Sequence, residues 1–143
     1  MMGTYDTNQQ DSKQRIVGKN IDDDHVGPGP EIMGADTLTG NDVVNVAGED
    51  LGEIEAIMLD VPSGRVAYAV LSFGGFLGMG EKLFAIPWKA LQLDIGNKCF
   101  ILDATVEQLQ NAPGFDKGQW PSMADQKWAR EIHSYYASPP YWE

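Results

Sequence analysis

The sequence predicts a small, mainly β protein in which five or six short strands form a curled sheet or a closed barrel, followed by short helices. Two observations lead to this prediction. Between about residues 32 and 103, short runs of β-branched and aromatic residues alternate with turn-forming residues. No long helix separates these runs, so neighbouring strands are expected to pair mainly antiparallel. Closure into a barrel would remove the exposed strand edges.

Residues 42–46 and 54–61 are the first two predicted strands, and the segment 47–50 is the turn between them. After the second strand, Pro62 presets its φ angle and Gly64 permits a left-handed conformation. This combination favours a tight reversal, so the second and third strands are expected to form a hairpin.

The third predicted strand, residues 66–73, is apolar on both of its faces. One face carries Val66, Tyr68 and Val70, and the other carries Ala67, Ala69, Leu71 and Phe73. A strand with one face in water alternates apolar and polar residues, whereas a strand covered on both sides does not. Both faces of this strand are therefore expected to be buried.

A fourth strand is predicted at residues 83–86, where it ends at Pro87 and Trp88. Residues 91–95 and 98–103 are expected to form a final hairpin. Gly96 and Asn97 lie between them and are a suitable pair for a two-residue turn.

Two short helices are predicted after the strands. Thr105 and Gln108 have the spacing of a capping box, which places a helix over residues 106–112 before Pro113 and Gly114 end it. A second helix is expected after Pro121, with Ser122 near its N-cap. Its apolar stripe at helical spacing is predicted to consist of Ala124, Trp128, Ile132 and Tyr135.

The chain is expected to divide into three parts. Residues 1–31 are polar and rich in Gly and Pro near their end, which predicts a flexible arm. Residues 32–104 are the predicted barrel, and residues 105–143 are the predicted helical and aromatic extension that packs on it. Pro139–Trp142 has a second interpretation, as a polyproline-type peptide ligand, although it does not match a PPxY motif.

Composition and charge exclude several classes of function. The 143 residues carry a formal net charge of -11, and the ten Lys and Arg residues are scattered singly. Direct binding to nucleic acid is not expected from such a surface. A single cysteine permits no internal disulfide. With no signal-like segment and no apolar run near 20 residues, the expected location is the cytoplasm, without membrane insertion.

The glycine-rich segment 74–82 resembles a phosphate-binding loop only superficially. Gly75 and Gly80 have Walker A spacing, but Glu81 and Lys82 follow where Lys and Ser or Thr are required. The GxGxxG pattern fails as well, because Leu83 occupies the third glycine position. The loop instead carries apolar residues that either fold back onto the barrel or form a contact surface. The candidate protein-interaction residues are Gly75, Phe76, Leu77, Gly78 and Met79.

No catalytic motif stands out, and the chain is expected not to be an enzyme and to need no cofactor. Cys99 lies in an apolar strand, where an inert buried thiol is expected. His133 falls near the end of the predicted second helix, where a protonated ring would suit the helix dipole. The acidic residues offer two metal-site hypotheses, for which a solvated surface is the alternative. The residues concerned are Asp22, Asp23, Asp24 and His25, and Glu53, Glu55 and Asp60.

Four stretches, in order and at matching spacing, resemble the PRC-barrel family, which is named after the cytoplasmic domain of the photosynthetic reaction centre H subunit. They are residues 48–54 (GEDLGEI), 64–71 (GRVAYAVL), 73–78 (FGGFLG) and 85–88 (AIPW). The C-terminal part is similar to the extension of stand-alone bacterial members of the family. Its matching stretches are residues 112–116 (APGFD), 120–121 (WP), 128–129 (WA) and 140–142 (PYW).

The resemblance implies a six-stranded β-barrel that acts by docking onto other proteins and has no established catalytic residues. The leading hypothesis is therefore an acidic interaction or assembly module, self-associating as a homodimer or larger oligomer through the glycine-rich loop and strand edges. A related domain in a ribosome maturation factor suggests one alternative, an accessory that meets the ribosome through a basic ribosomal protein. The other alternative is a small-ligand-binding or enzymatic barrel. Fold alone does not decide among them.

Overall fold

The computed structural model of the chain describes residues 32–74 and 81–143. The predicted arm, residues 1–31, lies outside the described residues. Within them the secondary structure consists of seven strands, two α-helices and two 3-10 turns. The strands are β1 (Asp42–Val44), β2 (Asp50–Asp60), β3 (Arg65–Gly74), β4 (Glu81–Pro87), β5 (Leu91–Asp94), β6 (Cys99–Leu102) and β7 (Phe115–Asp116). The helices are α1 (Val106–Gln110) and α2 (Gln126–Tyr135), and the 3-10 turns are Ala35–Thr37 and Trp88–Ala90.

All seven strands belong to one sheet, in the order β5-β6-β1-β2-β3-β4-β7. This arrangement confirms the predicted mainly β class. The finer prediction, six antiparallel strands in a closed barrel, is wrong in three respects. There are seven strands, β1 and β6 run parallel, and no ladder between described residues joins β5 to β7. The seventh strand has only two residues, which is too short for any periodic pattern to reveal it.

The sheet is nevertheless strongly curled. In a flat sheet the four steps from β5 to β3 would separate these strands by about 19 Å. Yet Leu93 of β5 and Val66 of β3 line the same cavity, so the sheet bends until its two distant parts face each other. The concave side of this curl holds the main core.

A β-bulge in β3 determines which side chains face that core. Met58 of β2 is paired with Tyr68, and the next residue, Leu59, is paired with Val66, so Ala67 is the extra residue. Strict alternation would place Val66 and Tyr68 on the same face. Because of the bulge, Val66 instead lines the concave side, while Tyr68 packs on the convex side.

Two hydrophobic clusters bury the two faces of β3, as its sequence predicts. The main cluster contains Ala69 and Leu71 of β3. The second contains Ala67 and Tyr68 of β3 with Ala85 and Ile132. Six consecutive residues of β3, from Ala67 to Ser72, are buried. The sheet itself covers the first face, and α2 with the C-terminal tail covers the second.

The β5–β6 hairpin has a four-residue loop, so the predicted two-residue turn is wrong. Asp94 is paired with Cys99, which leaves residues 95–98 in the loop. Lys98 adopts a φ of 59°, and the Asp94 carboxylate accepts hydrogen bonds from the backbone and side-chain nitrogens of Asn97 at 3.2 and 2.8 Å. These two hydrogen bonds between Asp94 and Asn97 stabilise the longer loop. The prediction of a two-residue turn rested on Gly96 and Asn97 alone and did not include them.

The first helix forms as its capping box predicts. The backbone N–H of Gln108 donates to Thr105 Oγ1 at 2.9 Å, and Gln108 Oε1 accepts from the backbone N–H of Thr105 at 2.8 Å. The predicted start of the second helix is wrong, because Asp125 and not Ser122 is the N-cap. Asp125 Oδ1 accepts from the backbone N–H of Lys127 at 3.0 Å.

The predicted apolar stripe of α2 is also only partly right. Ile132 is buried, but Tyr135 is 41% exposed, and Ala124 precedes the helix. The buried residues of the helix are Ala129, Ile132 and His133. The polar His133 was absent from the predicted stripe because an apolar pattern does not select histidine.

Replacing Gly52 should destabilise the fold more than replacing Gly48. Its φ is +108°, and a Cβ at this position would lie 2.1 Å from the Ser72 carbonyl oxygen. We expect Gly52→Ala to lower the free energy of unfolding by about 3 kcal/mol or more, since a positive φ and a backbone clash combine. Urea denaturation of the purified full chain measures this loss.

Gly48→Ala is the matched control for this substitution. Gly48 has a φ of +86°, but nothing lies within 4 Å of an added Cβ, so only the conformational cost of about 1–2 kcal/mol applies. Equal losses for the two variants would contradict the close approach of β2 to the Ser72 carbonyl.

Candidate functional site

The predicted contact residues connect β3 to β4. Gly75, Phe76, Leu77, Gly78 and Met79 lie outside the described residues. On either side of them, β3 and β4 are paired as far as Gly74 and Glu81. The role of these five residues as a contact surface stays a prediction.

An apolar groove of about 210 Å³ opens at the concave side of the curled sheet. Side chains from both halves of the sheet meet there, because the curl brings the β2–β3 hairpin opposite the β5–β6 hairpin. The groove is lined by Met33, Ala35, Leu38, Ile57, Val66, Trp88, Leu93 and Phe100. The Trp88 and Phe100 rings pack with their centroids 5.9 Å apart. The groove offers apolar contact and no ionisable side chain.

The strand edge beside this groove is open. β5 is the last strand on its side of the sheet, and within the described residues it pairs only with β6. Leu93 of β5 both lines the groove and is 37% exposed. Unpaired backbone groups on an edge strand are a template for pairing with another chain. Groove and edge together form what we call the concave surface, comprising the groove residues and β5.

Two further apolar side chains are exposed where β2 ends. Leu59 is 54% exposed, and Val61, in the turn after β2, is 81% exposed. Single exposed apolar residues are common on monomeric proteins. These two lie at the same end of the β2–β3 hairpin as Ile57 and Val66 of the groove. Neither of them lines the groove, and Leu59 instead lines a cavity between this hairpin and the C-terminal tail.

The C-terminal tail packs against the convex side of the sheet. The Tyr68 ring lies edge-on to those of Tyr141 and Trp128, at centroid distances of 5.8 and 5.4 Å. Arg65 Nη1 donates a hydrogen bond to the Tyr141 carbonyl oxygen at 2.9 Å. The guanidinium carbon of Arg130 lies 5.7 Å from the centre of the Trp142 ring. Two further aromatic residues of the extension are partly exposed but also engaged: the Trp120 ring packs on that of Phe115 at a centroid distance of 5.2 Å, and the Tyr135 hydroxyl donates to the Gln108 carbonyl oxygen.

His133 is a buried structural residue of this junction. Its Nδ1 lies 2.7 Å from the Ala129 carbonyl oxygen, and its Nε2 accepts from the backbone N–H of Tyr141 at 3.2 Å. A carbonyl oxygen only accepts and a backbone N–H only donates, so these contacts require the neutral ring with its proton on Nδ1. The predicted protonated ring facing the helix dipole is therefore wrong. His133 connects helix α2 to the tail.

Cys99 is 7% exposed. Burial raises the pKa of its thiol, and the nearby carboxylates of Asp94 and Asp42 raise it further. A raised pKa suppresses the reactive thiolate. The environment of Cys99 fits the inert thiol that the sequence predicts.

The three acidic residues proposed as a metal site are not gathered by the fold. Glu55 forms an ion pair with Lys117 at 3.7 Å, whereas Glu53 lies opposite Ser72 and Asp42. Asp60 is at the far end of β2, where its carboxylate accepts from the Ser63 hydroxyl. Across residues 32–74 and 81–143 no three His, Cys, Asp or Glu side chains are placed to hold one metal ion. The second proposed cluster, Asp22, Asp23, Asp24 and His25, lies outside the described residues.

The groove itself could not be predicted from the sequence. Its residues are apolar and scattered from Met33 to Phe100, so they are indistinguishable from core residues until the curl of the sheet is known. The predicted barrel was the one feature of the sequence analysis that pointed toward a groove, because a sheet that curls into a barrel leaves an opening at its end.

The chain was compared with known protein families and with curated proteins. A family model described as PRC-barrel domain matches residues 30–109, which is more than half of the chain. The chain belongs to the PRC-barrel family. The resemblance of the four central stretches is thereby confirmed. The comparison with curated proteins gave no match.

Membership of the PRC-barrel family supports a coarse functional statement. Domains of this family often mediate protein interactions, and the family suggests a non-catalytic interaction module. In the described part of the chain, no helix is long and apolar enough to span a membrane.

Two buried phenols should make the fold sensitive to alkaline pH. Burial is the main cause that raises the pKa of Tyr68 and of Tyr136 above the ordinary 10.0. Below pH 10 both phenols are neutral in the folded and unfolded chain. Above pH 10 the unfolded chain loses these protons first, so stability falls as pH rises, by at most about 1.4 kcal/mol per pH unit for each phenol.

Urea unfolding at pH 8 and pH 11 measures this loss. The double variant Tyr68→Phe, Tyr136→Phe should lose clearly less stability between the two pH values than the unmodified chain. The same loss in both proteins would show that these phenols are already ionised, or equally free to ionise, in the folded state.

Proposed function

We propose that this PRC-barrel protein is a non-catalytic interaction module that self-associates. The observation that carries the proposal is the concave surface, where an open apolar groove adjoins an edge strand, β5, whose outer side pairs with no strand of the described residues. An apolar groove gains free energy when a partner removes it from water. The edge strand of β5 adds backbone hydrogen bonds to such a contact and so specifies its register.

The chemistry of the described polar residues supports a non-catalytic role. Cys99 is buried with a raised thiol pKa. Both ring nitrogens of His133 are engaged by backbone groups. Neither group is available as a nucleophile or as a general base in a cleft.

A second copy of this chain is a suitable occupant, because a two-fold axis beside β5 would pair the two edge strands antiparallel. Such a contact is self-complementary, and most homo-oligomers use symmetry of this kind. The net charge of -11 opposes association of two copies at low ionic strength. At physiological salt the screening length is about 8 Å, which limits that repulsion. The predicted loop residues Gly75–Met79 supply further apolar contact in this proposal.

The test is the absolute mass of the full chain in solution, measured by light scattering on a sizing column at about 0.15 M salt. We expect a dimer or larger species. Leu93→Lys should shift the mass toward that of the 15.7 kDa monomer, since a lysine on an edge strand opposes pairing. The double variant Phe76→Ser, Leu77→Ser tests the contribution of the loop in the same way.

Val46→Lys is the matched control. Val46 is also an exposed apolar residue, 74% accessible, but it does not line the groove. This variant should keep the mass of the unmodified chain. A monomeric unmodified chain, or an oligomer that both Leu93→Lys and the loop variant leave intact, would contradict the proposal.

A further inference from the structure

Tyr141 of the C-terminal tail, residues 137–143, is bound on the convex side at three points. Its backbone N–H donates to His133 Nε2 at 3.2 Å, and its carbonyl oxygen accepts from Arg65 Nη1 at 2.9 Å. Its ring packs against those of Tyr68 and His133, each at a centroid distance of 5.8 Å. Side chains of the sheet and of α2 therefore bind both backbone groups and the ring of a single residue.

The next residue, Trp142, extends this site. Its ring lies edge-on to the His133 ring at a centroid distance of 5.5 Å, and its centre is 5.7 Å from the guanidinium carbon of Arg130. We call the surface formed by Arg65, Tyr68, Arg130 and His133 the tail slot. Hydrogen bonds to backbone groups are how proteins hold an extended peptide, and ring contacts select aromatic residues within it.

The tail is not woven into the sheet or into a helix. Residues 138–140 have no regular secondary structure, and Tyr141 and Trp142 are only half-buried. No strand ladder of the described residues includes the tail. A cavity of about 230 Å³ remains beside Tyr141, with Met58 and Met123 among its walls. Two hydrogen bonds to side chains and the ring contacts, and not a ladder, hold the tail in the slot.

The junction between α2 and the tail opposes this docking. Ala137 has a φ of 53°. The backbone N–H groups of Ala137 and Ser138 donate to the carbonyl oxygens of Ser134 and His133 at 3.1 and 2.9 Å. This is the Schellman arrangement, in which a left-handed residue, usually glycine, ends a helix. Alanine has a conformational cost there that glycine avoids. A peptide that enters the slot without this junction avoids the cost as well.

We propose that the tail slot is a peptide-binding site for a segment of another protein in which aromatic residues follow two prolines, and that the chain's own tail is its internal competitor. The tail itself displays the fitting sequence at residues 139–142 (PPYW). Prolines restrict the backbone of such a segment, so less conformational entropy is lost when it binds. The tail of a second copy brings the same strained junction with it, so an exchange of tails gains no contact. The tail slot and the concave surface lie on opposite sides of the sheet, so this proposal stands independently of self-association.

The probe is a fluorescently labelled peptide with the sequence of residues 137–143, ASPPYWE, titrated into the full chain and followed by fluorescence anisotropy. In the double variant Tyr141→Ala, Trp142→Ala the chain's own tail no longer competes, and we expect saturable binding. The unmodified chain should bind at least about tenfold more weakly, because a tethered tail competes at an effective concentration of roughly millimolar size. Absence of saturable binding to a folded double variant would overturn the proposal.

Two substitutions at Ala137 test the competition without changing the slot, and they remain decisive if the double variant does not fold. Ala137→Gly removes the conformational cost, so the chain's own tail docks more firmly and peptide binding should weaken several-fold. Ala137→Val raises the cost, because a β-branched residue is strained at a positive φ, and should strengthen peptide binding several-fold over the unmodified chain. Equal peptide affinity in these two variants would overturn the role of the tail as competitor.

Exchange of tails between two copies is the alternative occupancy of the slot. It would appear as a rise in the mass of the Ala137→Val chain over that of the unmodified chain, which excess peptide reverses. We expect the same mass for both chains. The rise in mass would overturn the assignment of the slot to a segment of another protein.

The assigned contacts are tested from both sides in the double variant. Arg65→Met should weaken peptide binding by roughly fivefold, the effect of one hydrogen bond. A peptide with an ester in place of the amide before its tyrosine lacks the N–H that His133 accepts, and it should lose a similar factor. Lys82→Met is the matched control for charge, because Lys82 lies opposite Phe73 at the other end of β3 from Arg65. Equal losses in Arg65→Met and Lys82→Met would overturn the assignment of Arg65.

Discussion

The burial of strand β3 on both faces is the constraint on which the rest of the structure depends. A sheet that covers itself by curling can bury only its concave face. The convex face of β3 carries Ala67 and Tyr68, which are 5% and 1% exposed, so a second layer must cover them. Helix α2 and the aromatic tail provide that layer through Ile132, Trp128 and Tyr141. The extension after β6 is therefore part of the fold's core and not an appendage.

The concave surface and the cavity on the convex side both follow from this two-sided packing. On the concave side the curl brings β5 near the β2–β3 hairpin, and among the described strands no ladder joins them. The apolar groove lies between them, beside the edge of β5. On the convex side the tail meets the hairpin around Tyr68, and a cavity of about 230 Å³ remains between them. The bulge at Ala67 connects the two, because it directs Val66 to the groove and Tyr68 to the tail.

Local and periodic features of the fold were predictable from the sequence. The capping box at Thr105 and the two-sided burial of β3 both appear as expected, because each depends on neighbouring residues alone. The parallel pairing of β1 with β6, the bulge at Ala67 and the two-residue strand β7 depend on tertiary contacts that no short pattern contains. The same holds for the groove and for the cavity on the convex side, whose residues are distant in sequence. His133 was misjudged because its partners, Ala129 and Tyr141, lie on two different segments.

The most direct test of this account is the stability of a chain that ends at residue 120 and so lacks α2 and the tail. Loss of this layer exposes Tyr68, Ala67 and Ala85 to water and should cost roughly 5 kcal/mol, comparable to the whole stability of a small domain. Urea unfolding should show a largely unfolded or molten chain under conditions in which the full chain is folded. A cooperative transition with the same free energy as that of the full chain would contradict the claim that the extension completes the core of β3.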